Sequence, residues 1–93
     1  MSEQELAAID RRVTAASVGP WRAFVEGRDH TSGDSFIRIG EASDGLPDMY
    51  LSRDTSPASS DDLDFVAHAR QDVPRLLAEV RRLRQDPGSR ATP

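Results

Sequence analysis

An apolar repeat near the C-terminus of the chain constrains the fold more than any other feature of the sequence. Its spacings alternate between three and four residues, and its members are Val66, Ala69, Val73, Leu76, Val80 and Leu83. This is the spacing of the a and d positions of a coiled coil, which share one side of a helix. We name this repeat the seam, and we predict an amphipathic helix over residues 61–84 with an oligomer interface along the seam.

Charges mark both ends of the predicted helix. Asp61, Asp62 and Asp64 stand in its first turn and Arg81, Arg82 and Arg84 in its last turns, which complements the helix dipole at each end. Ser59 or Ser60 precedes the first turn and is suited to cap it. In the heptad register Glu79 and Arg84 occupy g and e positions, which meet between the helices of a parallel dimer. An exposed pair of this kind contributes less than about 1 kcal/mol, so it can bias orientation only.

The pattern leaves open what the seam packs against. Leu63, Phe65 and Leu77 lie beside it, so the helix has enough apolar surface both to cover its own chain and to meet a partner. The alternative is that the seam packs entirely within one chain. A chain of 93 residues buries little more than half of its unfolded surface, which favours a homodimer.

Pro74 lies in the middle of the predicted helix. A proline there removes the hydrogen bond to the carbonyl of Arg70 and costs about 3 kcal/mol. The phase of the seam nevertheless continues unbroken from Ala69 to Leu76. We therefore predict one helix kinked at Pro74, with a break near Asp72 as the alternative.

A second helix is predicted near the N-terminus, over residues 3–17. Ser2 and Glu5 have the spacing of a capping box. Four residues then fall on one helix face, namely Leu6, Ile9, Val13 and Ala16. The dipeptide Gly19-Pro20 is expected to terminate the helix.

The middle of the chain has the composition of short strands separated by turns. We predict strands at about 21–26, 35–39 and 48–52, paired as a small antiparallel three-stranded meander. Asp44-Gly45 is a strong turn dipeptide between the last two. The expected fold is thus α+β, with a single domain over residues 1–86 and a disordered tail over residues 87–93.

Residue alternation assigns the predicted strands an inner and an outer face. Trp21, Ala23 and Val25 share one face, and we expect Trp21 to anchor the core rather than to serve as an exposed stacking platform. The outward face is a possible ligand surface for an anionic small molecule or a nucleotide, formed by Arg22, Phe24, Arg38 and Tyr50.

No catalytic, cofactor-binding or metal-binding constellation is apparent in the sequence. His30 lies in a polar loop beside Asp29, but no nucleophile motif accompanies it, and we expect a solvent-exposed histidine. His68 has no second histidine at metal-binding spacing. We therefore expect that the protein is not an enzyme and uses no cofactor.

Composition limits the cellular compartments and the classes of partner that we expect. The chain has no cysteine, its N-terminus does not resemble a secretory signal, and its apolar runs are too short to span a membrane. We expect a cytoplasmic protein without a membrane partner. The net charge of −4 disfavours binding to nucleic acid.

Two segments carry a resemblance to known proteins. The corner Gly19-Pro20-Trp21 and the helical segment 69–77, of pattern Ala-Arg-x-Asp-Val-Pro-x-Leu-Leu, resemble small proteins of actinobacteria and their phages, sometimes labelled Ead-like. Members usually have proline where Val18 stands. The group carries no assigned activity, so the resemblance implies an architecture and a phage-related origin but no catalytic residue.

Together these features favour a non-enzymatic protein-interaction module. We expect a phage-derived accessory or regulatory protein that pairs with itself and contacts a further, unknown protein. The alternative is a small-molecule or nucleotide-binding module that uses the outward sheet face.

Overall fold

The computed structural model describes residues 1–85 and has an α+β fold. The elements are α1 (Glu3–Ala15), β1 (Trp21–Phe24), β2 (Phe36–Ile39), a short 3-10 turn (Ala42–Asp44) and α2 (Ser60–Gln85). The predicted N-terminal helix, antiparallel strands and long C-terminal helix are confirmed at this level. The tail predicted to be disordered lies outside the described residues.

Contacts within the chain group it into two compact units, which we describe separately. Within the described residues, unit 1 comprises Met1–Ala16 together with residues 72–85. Unit 2 comprises Ser17–Gln71. The boundary falls inside α2, so the first part of this helix belongs to unit 2 and the rest to unit 1.

Helix α1 begins with the predicted capping box. The Glu5 amide donates to Ser2 Oγ at 3.1 Å, and the Ser2 amide donates to the Glu5 carboxylate at 2.8 Å. The bond from the Ser2 amide also lowers the pKa of the Glu5 carboxyl, because it stabilises the charged form. The helix ends at Ala15, two residues before the predicted end, because Ala16 adopts an extended conformation while its amide still donates to the Arg12 carbonyl.

The sheet has two strands, and the predicted third strand is wrong. Ile37 and Met49 exchange both backbone hydrogen bonds, each 2.8 Å long, but this bridge is isolated. A ladder needs successive pairs, and Pro47 on one side of Met49 has no amide to donate. On the other side Ser52 bridges to Pro57 within its own turn, which takes the segment away from β2.

Side chains in the connecting loop explain why both strands are shorter than predicted. The amide of Val25 donates to the Asp29 carboxylate at 2.8 Å, and the amide of Glu26 donates to Ser35 Oγ at 3.0 Å. The Glu26 bond takes the place of a ladder bond that a longer β1 would make with β2, and the Val25 bond ties the end of β1 to its own loop. The antiparallel pairing therefore runs only from Trp21 opposite Ile39 to Phe24 opposite Phe36.

The core of unit 2 lies between the inner sheet face and the first part of α2. Its buried residues are Ile37, Ile39, Leu63 and Ala67. Partly buried side chains surround them, among them Trp21, Ala23, Val25, Met49, Leu51, Ala58 and Val66. The predicted division of the strands into an inner and an outer face is thus confirmed.

Helix α2 runs from Ser60 to Gln85 without interruption at Pro74, as predicted. Ser59 is the residue that caps it, since its hydroxyl accepts from the Asp62 amide at 3.1 Å. Pro74 is half-buried and lines a pocket of unit 1 with Val13 and Leu77. The kink remains a prediction.

Replacing this proline provides a test of helix continuity. In Pro74→Ala the new amide can donate to the Arg70 carbonyl, so the free energy of unfolding should stay the same or rise by up to about 3 kcal/mol. Urea denaturation measures this change. Amide exchange should show residues 71–75 protected in the wild type, and an unprotected hinge there would contradict a single helix.

Candidate functional site

The seam is divided between the two units. In unit 2, Val66 packs against the buried core, and Ala69 is half-buried. In unit 1, Leu76 is 64% exposed, Leu83 48% and Val73 37%, while Val80 is half-buried. The part of the seam that is open to a partner therefore lies beyond Gln71.

This open part borders an apolar groove in unit 1. The groove has a volume of about 200 Å³ and is lined by Met1, Leu6, Ile9, Val73, Leu76, Leu77 and Val80. Leu6 and Leu77 are buried, whereas Met1 is 68% exposed. We name this surface the unit 1 groove.

Ion pairs connect α1 to the unit 1 part of α2. Arg81 contacts Asp10 at 3.1 Å, and Arg84 contacts Glu3 at 3.2 Å. Arg84 also donates to the backbone carbonyl of Met1, which lines the groove. These pairs were not foreseen, because partners 71 and 81 residues apart leave no local signal in the sequence.

Glu79 and Arg84 were expected to pair with each other between the subunits of a dimer. In the structure each pairs instead with another residue of its own chain. Glu79 accepts a 3.1 Å hydrogen bond from Arg82 Nε, which lowers the pKa of the Glu79 carboxyl. Arg84 is engaged by Glu3. Neither side chain is thus reserved for a second copy, and any association through the seam must depend on its apolar residues.

The outward face of the hairpin carries a cluster of aromatic rings. Phe24 and Phe36 stack with centroids 5.3 Å apart and planes 10° from parallel, and the Tyr50 ring lies 5.8 Å from Phe36. The Arg38 guanidinium lies 4.7 Å above the centroid of Phe24. The structure therefore brings Phe24, Arg38 and Tyr50 of the predicted ligand face together around Phe36. Phe36 and Arg38 lie two residues apart on β2 and so share a face, and this spacing could have identified Phe36 as a member.

Arg22, the fourth predicted residue of this face, stands directly opposite Arg38 in the strand register. Its guanidinium lies 3.5 Å from the Glu41 carboxylate, and both side chains are more than half exposed. Within residues 1–85 no carboxylate lies at ion-pair distance from Arg38. We name the set Arg22, Phe24, Phe36, Arg38 and Tyr50 the aromatic-arginine face.

His30 is half-buried, so the predicted solvent-exposed position is wrong. Its ring packs 5.6 Å from the Phe36 ring, which shields part of it from water. Nδ1 lies 2.7 Å from the Ser32 carbonyl and must donate to it, and Nε2 is buried without a hydrogen-bond partner among residues 1–85. The neighbouring Asp29 carboxylate accepts from Val25 and Arg28 instead of orienting this ring.

Arg28 links the β1–β2 loop to α2 within unit 2. Its guanidinium donates two 2.9 Å hydrogen bonds to the Asp64 carboxylate and one of 3.0 Å to Asp29. The first contact lowers the pKa of Asp64, because the hydrogen bonds favour the carboxylate form. We interpret the cluster as structural, since every charged group in it has a partner. No local pattern in the sequence indicated that these residues would meet.

His68 is exposed on α2, and its Nδ1 lies 2.8 Å from the carbonyl of Asp64 one turn earlier. Within residues 1–85 no three His, Asp or Glu side chains are placed to share a metal ion. In the same part of the chain, no helix has the length and apolar character needed to cross a bilayer.

Comparisons with protein-family models, with curated proteins and with solved structures found no match to this chain. The unit 1 groove and the aromatic-arginine face are therefore the surfaces from which a function is inferred.

Proposed function

We propose that this protein is a non-enzymatic interaction module that self-associates through the unit 1 groove. The observation that carries the proposal is the exposure of large apolar side chains around an apolar depression. Leu76, Val73 and Met1 are all more than a third exposed and all line the groove. Apolar patches of this kind, kept in contact with water, mark interaction surfaces.

A second copy of the chain is the occupant that best fits this surface. Leu76 and Leu83 are both exposed on α2 and lie one heptad apart, so they form a ridge with coiled-coil spacing. Leu76 also forms part of the groove. Ridge and groove thus belong to one patch, which is the requirement for a two-fold interface in which each copy presents the same surface.

The apolar groups supply the stabilisation of this interface. Burial of apolar surface contributes about 25 cal/mol per Å², so a side chain such as Leu76 adds roughly 1–2 kcal/mol when a partner covers it. The nearby ion pairs within each chain are exposed and contribute little. An accessory or regulatory role through contact with a further protein is part of the same proposal, with the dimer as its working form.

Sedimentation of the wild-type protein at tens of micromolar tests the proposal. We expect a dimer mass for the wild type and a monomer mass for Leu76→Glu and for Leu76→Glu/Val80→Glu, because an unpaired buried carboxylate is costly. Circular dichroism should show that the variants retain their helices.

The matched control is Leu46→Glu. Leu46 is 43% exposed, belongs to unit 2 and does not line the groove, so this variant should sediment as the wild type does. A monomeric wild type would refute self-association, and a dimer that survives both substitutions would place the interface elsewhere.

A further inference from the structure

The aromatic-arginine face of unit 2 has a charge arrangement that folding does not explain. Arg22 and Arg38 are direct cross-strand neighbours on one face. Like charges placed opposite each other destabilise a strand pair. Glu41 offsets only one of them, through a solvent-exposed contact of 3.5 Å. The face therefore retains positive charge in a chain whose net charge is −4.

We infer that this face binds a nucleoside monophosphate, with the base stacked on Tyr50 and the phosphate held between Arg38 and Arg22. The inference is independent of self-association, since none of these residues belongs to the unit 1 groove.

The two arginines match a phosphate monoester better than a carboxylate. Guanidinium groups donate forked, charge-assisted hydrogen bonds to phosphate oxygens, and two neighbouring cations complement a group that carries close to two negative charges. Arg38 makes no ion pair within residues 1–85, so its N–H donors remain free for a ligand. A polynucleotide is disfavoured, because the net negative charge of the chain opposes a long phosphate backbone.

The aromatic rings supply both the stacking surface and a fixed position for the arginine. Tyr50 is 62% exposed while one part of its ring contacts Phe36, so most of the tyrosine is accessible to a base. The Arg38 guanidinium lies 4.7 Å from the Phe24 centroid and 5.9 Å from that of Phe36. Packing against these rings orders the guanidinium before the ligand arrives, which reduces the entropy lost on binding.

Titration of the 15N-labelled protein with AMP, followed by NMR, tests the inference. The face is open, so we expect a dissociation constant of about 1 mM, with amide shifts concentrated at Phe24, Arg38 and Tyr50. Adenosine and inorganic phosphate are titrated separately. Each should bind at least about tenfold more weakly than AMP, because each lacks one of the two recognised parts.

Two variants and one control localise the site. Arg38→Gln and Tyr50→Ala change exposed side chains and should each weaken AMP binding about tenfold. Arg75→Gln removes an exposed arginine of unit 1 and should leave binding unchanged. Leu76→Glu should also bind AMP as the wild type does, which separates this inference from the proposed self-association.

Several outcomes would overturn the inference. These are the absence of shifts at 10 mM AMP, as an order-of-magnitude limit, equal binding of inorganic phosphate, and unchanged affinity in both Arg38→Gln and Tyr50→Ala. Tighter binding of a single-stranded hexanucleotide than of AMP would identify a nucleic-acid surface and would likewise refute the mononucleotide.

Discussion

Leu63→Ala is expected to lower the free energy of unfolding by about 2–5 kcal/mol. Leu63 is 1% exposed and belongs to the buried core of unit 2 with Ile37, Ile39 and Ala67. The substitution removes apolar burial and also leaves a cavity, because the sheet side of this core is held by the Ile37–Met49 bridge and cannot close freely.

This loss is large relative to the total free energy of unfolding. At about 0.05–0.15 kcal/mol per residue, a chain of this length has a stability on the order of 5–14 kcal/mol. Urea denaturation should therefore show a much lower midpoint for Leu63→Ala. The matched control is Leu46→Ala at a position 43% exposed, where we expect a loss below about 1 kcal/mol. Equal losses in the two variants would contradict the assignment of the core.

Trp21→Ala is expected to cost about 3 kcal/mol, near the lower end of the range for truncation of a large aromatic residue. The indole packs against the core of unit 2 but is partly exposed, which limits the loss. Its Nε1 also donates to the carbonyls of Val18 at 3.1 Å and Ser17 at 3.3 Å. The Trp21 side chain thus holds the segment 17–18 against the start of β1 through hydrogen bonds.

Trp21→Phe separates these two contributions. It keeps most of the ring contact and removes the hydrogen bonds, so we expect a loss of about 1 kcal/mol. Chemical denaturation followed by circular dichroism measures both variants. In the wild type the fluorescence should be blue-shifted and poorly quenched, and a red-shifted, freely quenched emission would instead indicate an exposed platform.

Local interactions explain which features were predictable from the sequence. The capping box at Ser2 and Glu5 acts over three residues, and the acidic start and basic end of α2 act within a turn, so both helices were identified. The alternation of side chains along β1 and β2 likewise assigned the inner and outer faces before any contact was known. Even the continuity of α2 at Pro74 followed from the unbroken phase of the seam.

Interactions between distant residues explain what was missed. The segment 48–52 has the composition of a strand, but it pairs with β2 at Met49 alone, because Leu51 and Ser52 pair with the turn that follows them. The side chain of Gln71 takes a strand's place at the edge of β1: it accepts from the Trp21 amide at 2.8 Å and donates to the Trp21 carbonyl at 3.1 Å. Fifty residues separate these partners, so no local sequence pattern predicts the contact.

Tertiary packing also decided which side of α2 is buried against the rest of the chain. The sequence determined an apolar surface on this helix that is wider than the seam. Its buried residues are Leu63 and Ala67 in unit 2 and Leu77 in unit 1, all beside the seam, while Leu76 stays exposed. Periodicity fixes which residues share a face, because it depends only on the helical rotation per residue. Which part of a wide apolar face is buried depends on the shape of the surface that covers it, and that surface exists only once the sheet and α1 have folded.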